Sequence, residues 1–351
     1  LRLAGADALL THASGLLVAG GGRDLLLRAD DIDLLAGPDS VRGSGALLIR
    51  SERDSQDYRL GGAGQSLFGN DYSPGSFAGA LHLGMRDLSA LRDGFSAITI
   101  GHRAPGVTMT LGDVEDRGSL FGDVYSARFT DPVRLLADRI DVQGDVQASE
   151  RLELAARLLD IDRVNLAAPF GGPDSGLSAR EIRADIDEQI VASGWIIGRS
   201  LVDLRVAATT GSGGLVSYGA VPNSYTSDPG TAVVVQDAGG RIELRTSGSV
   251  VAAGGFIADG AGAGIAIEAA QGFRLLAQGV LQTQGAGGRI EVQSGRLLEL
   301  ALDSVVVSGV ELQPGGADPL LTATDSQLVL RTSGPFMLDG LVAAGGRMVL
   351  E

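Results

Sequence analysis

The sequence predicts an all-β protein, a parallel β-helix in which one short coil is repeated and stacked. Three observations lead there. One phrase keeps returning, as GGRIELRTSG at 239–248, GGRIEVQSG at 287–295 and GGRMVLE at 345–351. Within each return, aliphatic and polar residues alternate, the period of a strand that sends successive side chains to opposite faces. Finally, glycine supplies 53 of 351 residues and aromatic residues only 4%, which suits many tight corners around a slim core of Leu, Val, Ile and Ala. A coil of about two dozen residues holds three short strands and three turns, and stacking sets each strand about 4.8 Å from its equivalents.

Taken in order, residues 1–52 read as coils: LRLAGAD at 1, LLLRADD at 25 and LLIRSE at 47 restart 22 to 24 residues apart. Residues 53–132 break that rhythm. They hold three of the five tyrosines and two of the three histidines, and they read as a long insertion packed on the flank of the solenoid. Within it FSAITIG and VTMTLGD are expected as strands, and MRDLSALRDG at 85–94 as a short helix, with Leu88 and Leu91 three apart and Gly94 as its stop. Residues 133–351 return to coils, with GSGGLVSYGAVPNSYTSDPG at 211–230 as an exposed loop. SERLELAARLLDIDRV, at 149–164, has the Ala and Leu content of a helix; its place inside a repeated strand pattern favours strand.

Charge narrows the partners. Against 43 acidic residues stand 28 basic ones, every one an arginine, for a net charge of −15. Such a chain repels nucleic-acid phosphates and anionic lipid headgroups, and the missing lysines remove Schiff-base chemistry and the P-loop lysine. Without cysteine there is no disulfide framework and no thiolate metal site. No stretch has the length and apolarity of a membrane span. The start at Leu1 falls within strand-like alternation, so the chain is expected to be a mature or excerpted piece of something longer. Neither terminus carries an amphipathic capping helix, which predicts open coil ends able to stack on copies of the chain or on adjoining repeats.

The phrases LLADRIDVQGDVQASERLELAA, GGRIELRTSGSVVAAGG and DGFSAITIGHRAPGVTMTLGDV resemble those of filamentous haemagglutinin-type giant bacterial surface adhesins. The resemblance extends over nearly the whole chain as a texture of repeats and carries no catalytic signature. It implies a right-handed β-helical shaft, exported and displayed at the bacterial cell surface, touching glycans or proteins of a host or neighbouring cell.

Candidate sites are few. His82 and His102, with Asp87 or Asp93, could meet as a metal site, although no second histidine stands at ligand spacing. The acidic pairs Asp31 and Asp33, Asp138 and Asp141, Asp160 and Asp162, and Asp185 and Asp187 could gather a cation beside an acidic polysaccharide. Asp alternating with Ile or Val is equally the pattern of a solvated strand face, the favoured reading. Trp195 suits either a sugar platform or a coil corner. The glycine stretches match neither a dinucleotide nor a Walker spacing, and no Gly-x-Ser-x-Gly elbow occurs. Asparagine stands only at 70, 165 and 223, so no interior amide ladder is expected. The sequence therefore nominates no catalytic, cofactor-binding or metal residue. It points to a structural, adhesive shaft segment, not an enzyme. A polysaccharide lyase or hydrolase on the same scaffold, requiring carboxylates and arginines from successive coils in one groove, and a self-assembling sheath or surface-layer subunit are the alternatives.

Overall fold

A computed structural model describes residues 8–61, 79–112, 126–161, 175–208, 213–217, 232–311, 320–321 and 325–351. The opening LRLAGAD, Asp162, parts of the 53–132 segment and most of the 211–230 loop lie outside them. Strand accounts for 61% of the described residues, nearly all of it in parallel pairing, and Met85–Ala90 is their only α-helix. The chain divides into two compact units, 1–179 and 180–351.

In the first unit, Leu25–Arg28, Ala46–Arg50, Ala97–Gly101, Val133–Leu136 and residues 152–155 form one parallel ladder. Its alternation puts Leu27, Ile49, Ile100, Leu135 and Leu154 in one column, each at most 1% exposed. Burying such side chains contributes roughly 1.5–3 kcal/mol apiece against the unfolded chain. A second ladder runs through Asp57–Leu60, Thr108–Leu111, Arg139–Val142 and residues 158–161. The 53–132 segment thus supplies rungs at 57–60, 97–101 and 108–111 that belong to the ladders themselves. SERLELAARLLDIDRV is strand as far as it is described: Asp145–Ile161 pairs in turn with Ser126–Phe129, Val133–Leu136 and Arg139–Val142. Pairing to three strands overrides the local helix propensity of Ala and Leu.

The second unit visits three ladders in fixed order. Arg241–Thr246, Ser249–Ala252 and Gly255–Ala258 are followed by Gly264–Ala269, Gly272–Leu275 and Val280–Thr283, then by Arg289–Ser294, Leu297–Leu300 and Val305–Ser308. Each strand pairs in parallel with its equivalent one rung on. Ile242, Ile265, Ile290 and Leu328 share one inward column, and Val250, Phe273, Leu298 and Phe336 share another.

The recurring glycines have two separate duties. Gly287, the first of its pair, turns the chain at φ +72°, a region costly to any residue with a Cβ. Gly295, at the next corner, has no room for a Cβ, which would lie 2.0 Å from the Ala270 carbonyl oxygen one rung below. Among the apolar side chains of the second unit's interior is a polar step, where Thr283 and Ser308, in register and fully buried, place their hydroxyls 2.9 Å apart. Ser308 Oγ also lies 3.0 Å from the Gln327 carbonyl, so the pair is satisfied where an amide ladder could have run.

Candidate functional site

Outward-facing side chains follow the same register as the core, so each ladder writes a column of chemistry on the surface. In the second unit Arg205, Arg245, Glu268, Gln293 and Arg331 are mutual neighbours on five successive strands. Two positions earlier stand Asp203, Glu243, Ala266 and Glu291. Arginine and acid therefore pair along and across rungs: Arg205 with Asp203 at 2.7 Å, Arg245 with Glu243 at 3.0 Å and with Glu268 at 3.8 Å, Arg331 with Glu291 at 3.1 Å and with Glu351 at 2.9 Å. The carboxylate of Asp203 holds the Arg205 guanidinium even more firmly protonated than usual.

Where this face turns the corner, an open groove of about 540 Å³ crosses the rungs. Its wall is Asp185, Arg205, Arg245, Glu268 and Gln293. The corner beneath carries small residues, among them Ala207, Ser247, Ala270 and Gly295. Charged groups from successive rungs thus converge in one groove.

The first unit buries a polar network at one of its corners. At the corner between Ala46–Arg50 and Asp57–Leu60, the Tyr58 hydroxyl accepts the Ser51 backbone N–H at 3.0 Å and lies 3.0 Å from His102 Nδ1. His102 Nε2 is 2.8 Å from the Asp54 carbonyl. A carbonyl can only accept, which assigns the hydrogen to Nε2 and makes Nδ1 the acceptor of the Tyr58 O–H. Burial pushes the Tyr58 hydroxyl up to about 12. Ser51 Oγ bonds Gln56 Oε1, and Gln56 Nε2 donates to the Asp30 carbonyl at 2.7 Å. Ser51, Gln56, Tyr58 and His102 are all buried.

The remaining sequence candidates are dispersed. His82, half-buried, faces the Gly61 carbonyl at 3.4 Å, while His102 belongs to the corner just described. Asp87 accepts N–H groups from Gly84 at 2.9 Å and Leu34 at 2.8 Å, fastening the helix to the end of Asp31–Asp33, and burial raises its pKa. Asp93 bonds Asp131. The two histidines thus bond to different elements, and among the described residues no three His, Asp or Glu side chains are grouped as a metal site. Of the acidic pairs, Asp31 is pushed up to about 6, chiefly by burial and then by Asp33. Asp138 is lowered by its hydrogen bond from Arg157. Asp141 and Asp160 both pair with Arg139, at 2.5 and 2.7 Å. Asp185 alone enters the groove, and Trp195 lies half-buried outside its lining. Of the groove's wall, Arg245 and Gln293 stand inside the recurring phrases GGRIELRTSG and GGRIEVQSG; alternation alone does not say that equivalent outward residues become neighbours, which requires the register.

No protein-family model, no curated protein and no solved structure matches the chain.

Proposed function

We propose that the chain is a right-handed parallel β-helical shaft segment of a large bacterial surface or filament-forming protein, extracellular in location and structural and adhesive in role. The observation that carries this reading is the strict return of equivalent residues to equivalent ladder positions. Ile242, Ile265 and Ile290 recur in one column at intervals of one coil. A chain that only repeats its scaffold from rung to rung is built to extend. Electron microscopy of the purified chain and of intact cells is the test. Slender rods that lengthen by stacking, and surface labelling by an antibody to the chain, are expected; compact isolated particles or a wholly internal protein would overturn the proposal.

A second reading, a polysaccharide lyase or hydrolase on the same scaffold, is favoured by one observation, the convergence of Asp185, Arg205, Arg245 and Glu268 in the groove. Incubation with polyuronates and neutral polysaccharides, with and without calcium, separates the two. New reducing ends or unsaturated products would identify an enzyme. A sheath or surface-layer subunit would be recognised by two-dimensional arrays or tubes in the same micrographs.

A further inference from the structure

We infer that the corner groove formed by Asp185, Arg205, Arg245, Glu268 and Gln293 is a binding site for a neutral polysaccharide, laid across successive rungs. The inference gives the adhesive role proposed above its ligand and rests on that reading for its biological setting, but its physical basis is the groove alone.

The occupant follows from charge and hydrogen-bonding capacity. Two carboxylates and two guanidinium groups line the groove, so the lining itself is neutral. Both arginines already hold carboxylates, Asp203 and Glu243, at 2.7 and 3.0 Å, and the chain as a whole carries −15. An anionic polymer would approach against that field and compete for guanidinium groups already engaged. A cationic polymer would meet Arg205 and Arg245 directly. Hydroxyl groups donate and accept at once, and the wall offers them both partners in turn: carboxylate acceptors at Asp185 and Glu268, guanidinium donors at Arg205 and Arg245, and an amide at Gln293 that does both.

Shape agrees with chemistry. The volume of about 540 Å³ falls within the range of small-ligand sites, roughly 300–1,000 Å³, and an open groove takes a segment of a polymer. Wall residues repeat with the rung spacing of about 4.8 Å, close to the rise of one sugar ring along an extended chain, so consecutive rings meet consecutive wall residues. The lining contains no aromatic residue, which leaves a nucleobase or other flat aromatic ligand nothing to stack on. Ala207, Ser247, Ala270 and Gly295 give the sugar backbone room at the corner.

The test is titration calorimetry on the full chain in solution, independent of any cell surface, so a negative result leaves the shaft reading standing. The probes are cellohexaose, mannohexaose and laminarihexaose as neutral chains, hexagalacturonate as the anionic chain and chitosan hexamer as the cationic one. At least one neutral chain is expected to bind, and Arg245→Ala and Glu268→Gln are each expected to weaken it roughly tenfold, the loss of a charge-assisted hydrogen bond. Arg289→Ala, outside the lining, should leave it unchanged. Should either groove variant lose its β-sheet circular dichroism, Gln293→Ala supplies the same comparison. No heat with any neutral chain, preference for either charged probe, or binding indifferent to the groove variants would overturn the inference.

Discussion

The two units use the same parallel ladders but bury polar groups of different kinds. Residues 180–351 bury mainly small hydroxyl side chains among apolar columns, as at Thr246, Thr283, Ser294 and Ser308, and place arginine and acid in register outside. Residues 1–179 bring Ser51, Gln56, Tyr58, His102 and Asp131 into the interior and bind them to backbone groups of neighbouring segments. The cause lies in rung length. Between 241 and 308, equivalents recur every 23 to 25 positions, as from Arg241 to Gly264 and on to Arg289, and strand residues pair rung to rung in register. In the first unit, by contrast, the partner of Leu47 is Ile98. An excursion of that length leaves corner backbone groups without ladder partners, and buried ones must be satisfied by side chains. Regular rungs use short hydroxyl side chains at their corners, as at Thr246, Thr283 and Ser294, and irregular ones draw on longer polar groups.

That contrast can be broken most strongly from the regular side. Ile290→Asp puts an unpaired carboxylate at a position 0% exposed, midway along its column, and is expected to destabilise the second unit by on the order of 5 kcal/mol. Trp195, the single tryptophan, reports that unit in urea titrations. Its fluorescence transition should move to much lower urea, while part of the far-UV circular dichroism change, from the first unit, stays in place.

Next comes the polar corner. Tyr58→Phe leaves the Ser51 N–H and His102 Nδ1 without their shared partner and should cost the first unit about 2 kcal/mol. A lower urea midpoint by circular dichroism, with the Trp195 transition unmoved, is the expected record. Because Tyr58 and His102 act in one network, the double variant with His102→Ala should cost less than the two single losses together.

Acidity should separate the units more gently. Burial raises Asp31, Asp87, Asp131 and Asp145, all in the first unit, Asp31 to about 6. With its pKa raised on folding, the folded chain holds the Asp31 proton more tightly than the unfolded chain does. The resulting stabilisation is complete below the unfolded value of 3.8 and is lost as pH rises through about 6. Going from pH 7 to pH 5 should therefore strengthen the first unit. Asp31 is only half-buried, so solvent screening reduces its share to about 1 kcal/mol. Urea midpoints across that interval measure the gain, and Asp31→Asn should flatten it.

The smallest effect is expected on the surface of the second unit. Arg289→Ala removes a 2.7 Å pair with Glu291, and exposed pairs of this kind contribute about 0.5 kcal/mol or less. Added salt should erase the difference between variant and parent in thermal unfolding.

Much of this architecture could be read directly. The glycine-pair phrase announced its own corners, and the inward columns follow from alternation once Ile242, Ile265 and Ile290 are aligned. The helix at 85–90 came from Leu88, Leu91 and Gly94, and the structure adds that Asp87 fastens it. The ladder strands within 53–132 were harder to place, because long excursions between rungs conceal the period. Tyr58 and His102 stand 44 positions apart, and no local pattern links a corner hydroxyl to an imidazole on the next coil. The groove stayed hidden for a related reason: Asp185, Arg205, Arg245 and Glu268 are separated by unequal intervals and become neighbours only through stacking.

The close approach at Gly295 also bears on how the second unit yields to force. At Gly295 the backbone passes too close to Ala270 for any side chain, and each rung there pairs only with its immediate neighbours. Tension along this unit should strip its rungs singly, and a rung of some 25 residues paid out as extended chain would lengthen the tether by roughly 80 Å. A pulling trace with evenly spaced teeth would be the mechanical image of the repeat.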